Sequence, residues 1–140
     1  MIPVKFYDSL DYDFSYLNGE DNLNGLTLGG FNGGNKPLNI DNFDIIELKA
    51  ARDLVACHLE MVQCINKRIS SFGLKHLLEK VLADRTNRKL NYISNGTLIL
   101  AMVDAGYRFT KDSHDSPNCF FNVSQKSINK LIKEVERICY

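Results

Sequence analysis

Net charge is missing from this chain: 17 basic side chains balance 17 acidic ones over 140 residues. No bulk excess of one sign therefore draws it to nucleic acid or to a membrane surface. Also missing is any run of the roughly 20 apolar residues that a membrane-crossing helix needs. No basic segment followed by an apolar run opens the sequence, and Cys57, Cys64, Cys119 and Cys139 form no CxxC pair. Neither a secretory leader nor a paired-thiol motif is read here, and a reduced cytoplasmic setting is expected. Cys57 and Cys64 fall seven apart and are expected to share one helix face as small apolar residues.

Motifs for chemistry are wanting as well. A nucleophilic enzyme needs a nucleophile, a base within reach and an orienting group. His58, His76 and His114 fall in different predicted elements with no local motif around them. Cys119 and His114 flank one predicted turn, and a small enzyme built on that pair is the third reading in order of preference. Cys57 and His58 are adjacent, so on a helix they point about 100° apart and with Cys64 make a poor tetrahedral set. The stretch LGGFNGGNKP lacks the GxxxxGK[ST] order of a phosphate cradle. Glu134 and Glu136 on a polar helix face signal solvent rather than acid and base work. No catalytic residue, metal or cofactor is expected, and the chain reads as a non-enzyme.

What is present suits one compact domain, which at this length buries roughly two thirds of its unfolded surface. The predicted class is α+β, mainly helical, with about four helices, one β-hairpin and a winged-helix-like C-terminal half. Residues 1–40 read as an extended arm or short edge strand packed on the body by its aromatics Phe6, Tyr7, Tyr12, Phe14 and Tyr16, followed by an irregular loop from Leu17 to Asn39, where Gly and Asn recur at nearly every second or third position. Residues 41–140 read as the helical domain. Asp41 or Asn42 is the expected cap of one long helix, whose apolar positions run Leu48, Ala51, Val55, Leu59, Val62, Ile65 and Ile69. Ser70 or Ser71 opens the next, with Phe72, Leu74, Leu77, Leu78, Val81 and Leu82 on its buried side. A third, capped by Ser94 and Asn95 and stopped by Gly106, is apolar nearly all round and should be central. Tyr107–Thr110 and Cys119–Val123 then read as a hairpin. Ser124 caps a last helix with Ile128, Leu131, Ile132, Val135, Ile138 and Cys139 as its stripe.

Charge is unevenly spread over this plan. Asp8, Asp11, Asp13, Glu20 and Asp21 outweigh Lys5 and Lys36 in the first forty residues, whereas Lys67, Arg68, Lys75, Lys80, Arg85, Arg88 and Lys89 outweigh Glu79 and Asp84 in the middle. The candidate partner-binding residues are therefore Tyr7, Asp8, Asp11, Tyr12 and Asp13 of the arm together with those seven basic residues. If the helix pair and hairpin act as a winged helix-turn-helix, Asn95, Thr97, Arg108 and Lys111 would join the basic residues against nucleic acid. The reading helix would offer Ser94, Asn95, Thr97 and Asp104 but no Arg, Lys or Gln for paired base contacts. Contact with nucleic acid would then be to backbone only.

Over Ser71–Ser124 the segments SFGLKHLLE, YISNGTLILAMVDAGY and SPNCFFNVS resemble small uncharacterised proteins of phages and prophages. The resemblance implies a mobile-element accessory protein of the host cytoplasm, often a stoichiometric inhibitor or regulator of a host complex; anti-CRISPR proteins are one group of that size and style. The first forty residues lie outside it, and it carries over no functional residue. The expected partner is a host protein or nucleoprotein complex, with no membrane involved. The apolar helix stripes can face a twin chain, as a homodimer, as readily as a core.

Overall fold

The computed structural model describes residues 1–138, so Cys139 of the expected last stripe lies outside the described residues. The fold is α+β and mainly helical. In chain order the elements are α1 (Val4–Asp8), β1 (Leu26–Thr27), β2 (Gly30–Phe31), α2 (Ile45–His58), β3 (Met61–Asn66), α3 (Ser71–Arg85), α4 (Asn95–Asp104), β4 (Phe109–Lys111), β5 (Cys119–Val123) and α5 (Gln125–Ile138). β1 and β2 form a small antiparallel ribbon, and the other three strands form an antiparallel sheet in the order β3-β5-β4. No helix among the described residues is long and apolar enough to cross a membrane.

α4 is the central helix, as its all-round apolar sequence implies. Every residue from Asn95 to Met102 is buried. It packs between α2 and α3, with β2 against its first turn. Ser94 Oγ accepts from Thr97 N at its start. At its end Gly106, with φ +95°, lets its own N–H reach Val103 O and the Tyr107 N–H reach Met102 O. Those two bonds satisfy carbonyls that a helix end otherwise leaves open. Leu98, Ile99, Leu100 and Met102 are fully enclosed, each contributing about 1.5–3 kcal/mol of burial. α5 is simpler: Ile128, Leu131 and Val135 face inward while Lys126, Lys130 and Lys133 are exposed.

The long helix expected through Ile69 is instead a helix and a strand. α2 ends at His58, and Leu59 is extended with φ −113° and ψ 147°. Glu60 then ties the chain to the start of α5, its N–H donating to Ser127 Oγ and its carbonyl accepting from Ser124 N. Met61 pairs with Val123 and Asn66 with Phe121, so β3 bulges between them. Spacings of three at Leu59, Val62 and Ile65 suit a helix. The pairing edge of β5 prevails because Val62 and Ile65 are β-branched and adapt to a strand. Cys57 and Cys64 consequently sit on different elements, and both are exposed. The cap of α2 is Asp44, whose Oδ1 accepts from Ile46 N and Glu47 N, rather than Asp41 or Asn42.

Residues 1–40 depart from an extended arm. Val4–Asp8 is a short helix, followed by two single turns of 3₁₀ helix at Ser15–Leu17 and Asp21–Leu23. Tyr7, Phe14, Leu17 and Leu23 are buried in the same core as α2 and α4. The turn between β1 and β2 lies across the start of α4, where the Gly96 N–H donates to Leu28 O at 2.9 Å. A Cβ on residue 96 would stand 1.8 Å from Thr27 O. Alanine usually stabilises a helix relative to glycine by about 0.5–1 kcal/mol. Here the sign reverses: Gly96→Ala is expected to cost about 1–3 kcal/mol through overpacking, read as a lower urea midpoint. A midpoint equal to or above wild type contradicts the close approach.

Candidate binding pocket

The structure disperses the residues singled out by charge. Asp8, Asp11 and Asp13 are exposed, but Tyr7 is 0 % exposed and cannot meet a partner. Tyr12 is half-buried beneath Arg52, whose guanidinium carbon lies 4.9 Å from the ring centroid. Arg52 also holds Asp104, which accepts from Tyr16 Oη, so the acidic segment is stitched to the body. Asp13 Oδ1 accepts from both the N–H and the hydroxyl of Ser15, which lowers its pKa.

Nor do the basic residues form one patch. Lys67 and Arg68 precede α3, while Arg85, Arg88 and Lys89 stand at its far end, a helix of 15 residues and thus roughly 22 Å away. Lys80 and Arg88 line a groove of mixed polarity with Ala83, Asp84, Asn87 and Ile138. Arg85 is half-buried and donates from Nη2 to His58 Nε2 at 2.9 Å. Lys75 is buried. Asn95 and Thr97, proposed for nucleic acid, are buried too, Thr97 donating to Glu47 Oε2 at 2.7 Å. Of the hairpin cations, Arg108 donates to Gln63 O and Lys111 lies 4.7 Å from the Phe31 ring centroid.

A site that charge patterning missed gathers instead around Lys75. The first turn of α3 supplies Phe72 and Lys75, and the connection to α4 supplies Tyr92. Asn95 comes from α4, Leu28 and Gly29 from the β1–β2 turn, and Pro117 and Asn118 from the β4–β5 turn. Together they line an open surface pocket of about 360 Å³. Phe72, expected on the buried side of α3, is 49 % exposed and Tyr92 is 57 % exposed. Lys75 is only 4 % exposed, with Nζ 5.5 Å from the Phe72 ring and 4.7 Å from the Tyr92 ring. An ammonium over aromatic faces is attracted by the ring quadrupoles, most strongly where water is excluded. Its charge is also met by Glu79 Oε2 at 2.9 Å. The same carboxylate takes the Ile93 N–H at 2.9 Å and faces His76 Nδ1 at 3.0 Å. His76 in turn meets Phe72 edge to face at 4.5 Å.

Asn95 spans the pocket floor. Its Nδ2 donates to Gly29 O at 3.1 Å and to Asn118 Oδ1 at 2.9 Å, but its buried Oδ1 has no donor. One signal in the sequence pointed here. Leu74, Leu78, Val81 and Leu82 make the inner stripe of α3, and Phe72 lies off it, on the side of Lys75, His76 and Glu79.

Covalent chemistry finds little support among these groups. Cys119 is fully buried and burial pushes its thiol up to about 12, which leaves no thiolate at neutral pH. Among the described residues no three His, Cys, Asp or Glu side chains converge as a metal set. Compared with protein-family models, with curated proteins and with solved structures, the chain matches none.

Two outcomes follow from the buried charges. Glu79→Ala strands the Lys75 ammonium and is expected to cost about 3–5 kcal/mol; pairing Lys75→Met with Glu79→Gln should recover more than half of that in urea unfolding. His58 accepts from Arg85, and burial first, the Arg85 charge second, lower its pKa. The folded state therefore favours neutral imidazole, and stability falls as pH drops below about 6.5, the unfolded value. His58→Gln, which keeps an acceptor, should flatten the urea midpoint between pH 7 and 5. An unchanged slope would assign that pH dependence to other groups.

Proposed function

We propose that this chain is a non-enzymatic docking protein, an accessory factor of a phage or mobile element that inhibits or regulates a host protein or nucleoprotein complex in the cytoplasm. One observation carries the reading: Leu28, Phe72 and Tyr92 are exposed apolar side chains on three different segments that surround one pocket. Large apolar groups gathered around a concavity mark interaction sites more often than scattered ones do. Aromatic anchors in such pockets carry a large share of binding energy at protein interfaces. The style of the segments that supply Phe72, Tyr92 and Pro117 supports the mobile-element side of the proposal.

The second reading is a winged helix-turn-helix that binds nucleic acid. Its support is the order of α3, α4 and the β4–β5 hairpin, with β3 laid against β5 as a third strand. Against it stands α4, the helix that would enter a groove. A reading helix must present one face to the bases, and the β1–β2 turn covers the start of this one. Contacts would fall to Lys67, Arg68, Lys80, Arg88 and Lys89, which touch phosphate without reading sequence.

Tagged wild-type protein and the Phe72→Ser/Tyr92→Ser variant should be compared in capture from host lysate. Both rings are half exposed, so the variant should keep its circular dichroism and most of its unfolding midpoint. Loss of a captured component by tenfold or more supports docking through the pocket. Undiminished capture by the folded variant removes it. Salt-dependent retention of duplex DNA, weakened by Arg88→Ala/Lys89→Ala, would favour the second reading.

A further inference from the structure

We infer that the outward ridge of α5, formed by Lys126, Lys130, Lys133 and Arg137, binds the phosphodiester backbone of nucleic acid without reading its sequence. The inference rests on the docking reading for its partner, a host nucleoprotein complex, and names the surface that meets the nucleic acid.

The spacing of the four cations makes them one row. Steps of four, three and four residues bring them within about 60° of one another on a helix and spread them over roughly 16 Å of its axis. Ile128, Leu131 and Val135 are buried on the opposite side, so the row is the crest of the helix, and its four cations are exposed. Arg137 is paired with Glu134 at 2.6 Å. None of the ion pairs among the described residues involves Lys126, Lys130 or Lys133.

The fold joins this row to cations that the sequence keeps apart. α5 packs along α3. Asn66, just before Lys67 and Arg68, donates from Nδ2 to Gln125 Oε1 at 2.9 Å, which sets those two exposed cations at the start of α5. At the other end Ile138 shares a groove with Lys80 and Arg88. The two ends of α3, roughly 22 Å apart, are thus bridged by a helix that carries a cation at every turn. Acids are fewer on this side: Glu136 is exposed on α5, while Glu60 and Asp84 line the grooves beside it. In a chain of zero net charge the balancing acids lie elsewhere, Asp8, Asp11 and Asp13 among them.

Such a band fits a long anion with regularly repeated charge. One strand of a duplex presents a phosphate every roughly 3.4 Å of axis, so about five face the row. Lysine is a point charge on a flexible stem and takes phosphate without fixed geometry, which suits backbone contact rather than base reading. A membrane surface fits less well, because a helix lying in lipid inserts its apolar face and that of α5 is packed in the core. A protein partner fits less well too: α5 has no aromatic residue, and its crest is convex, whereas interface anchors sit in pockets.

A labelled DNA duplex of roughly 20 base pairs is titrated with the full chain at several salt concentrations and followed by anisotropy. Eight cations, the row with Lys67, Arg68, Lys80 and Arg88, should give log K against log salt a slope of about −4 to −7, at roughly 0.9 per phosphate neutralised. Lys126→Gln/Lys130→Gln/Lys133→Gln alters only exposed side chains, so circular dichroism and the urea midpoint should hold. Its slope should become shallower by roughly 3, and its affinity at about 50 mM salt should fall tenfold or more. Arg88 serves the winged-helix reading as well, so the α5 lysines and the hairpin decide: Lys111→Gln should change neither slope nor affinity. No salt-dependent binding, an unchanged slope in the triple variant, or a slope reduced by Lys111→Gln each overturns the inference. So does stronger competition by polyglutamate or by phosphatidylserine vesicles than by unlabelled duplex. If the duplex does not bind while capture still depends on Phe72 and Tyr92, docking stands and the α5 surface is wrong. If the duplex binds through the α5 lysines but capture ignores both rings, the α5 surface stands and docking through the pocket falls.

Discussion

The carbonyl of Thr27 lies where a side chain on residue 96 would begin, and much of the structure depends on that close approach. A glycine there lets the β1–β2 turn settle on the first turn of α4, so that the Leu28 carbonyl takes the Gly96 N–H. Neighbouring residues complete the junction. Asn95 reaches outward to Gly29 and Asn118, while the Ser94 N–H and the Thr97 hydroxyl turn inward to Glu47 of α2. Helix starts leave N–H groups unpaired, and burying one without partners is costly. This one is buried with its partners drawn from three distant segments. The central helix therefore cannot be placed until the N-terminal segment, α2 and the hairpin turn are also in place.

The pocket is a by-product of the same junction. Holding Gly29 and Asn118 against Asn95 brings the β1–β2 and β4–β5 turns to one rim, and Tyr92, just ahead of the cap, stands opposite Phe72. Lys75 then fills the gap beneath the rings. Removed from water, its charge needs both the carboxylate and the aromatic faces, and the Ile93 N–H bonded to Glu79 keeps the carboxylate from turning away. Both rings thus lie over a buried ion pair.

Local signals made some of this readable in the sequence. Ser94, the apolar run after it and Gly106 specify α4 from cap to stop because each acts within a turn of its own position. The hairpin was legible for the same reason. What the sequence hid depends on distant partners. Nothing after His58 breaks a helix: no Gly or Pro follows until Gly73. The end of α2 is imposed by Ser124, Ser127 and the edge of β5. Tyr7 and Phe14 pack on the body, as aromatics alternating with acids suggest, but from a short helix and the residue before a 3₁₀ turn rather than from a strand or extended arm. Lys75 was counted among surface cations because only the tertiary fold shows two rings and a carboxylate converging on it.

The same contrast bears on whether charge or shape would be the basis of the proposed docking. Exposed cations such as Lys67, Arg68, Lys80 and Lys89 hold flexible charges in water, where each contact is screened within about 8–10 Å and typically contributes under about 1 kcal/mol. They also lose rotamer freedom when a partner fixes them. Phe72 and Tyr92 have few torsions to lose, and the Lys75 ammonium lies 5.5 and 4.7 Å from their ring centroids. A surface ordered before binding gives up less entropy on association, so an aromatic pocket braced from below can hold a partner where a dispersed set of charges only attracts one. On the docking proposal, the exposed cations and the acidic N-terminal segment would act on the approach, through electrostatic steering, and the pocket would set the lifetime of the complex.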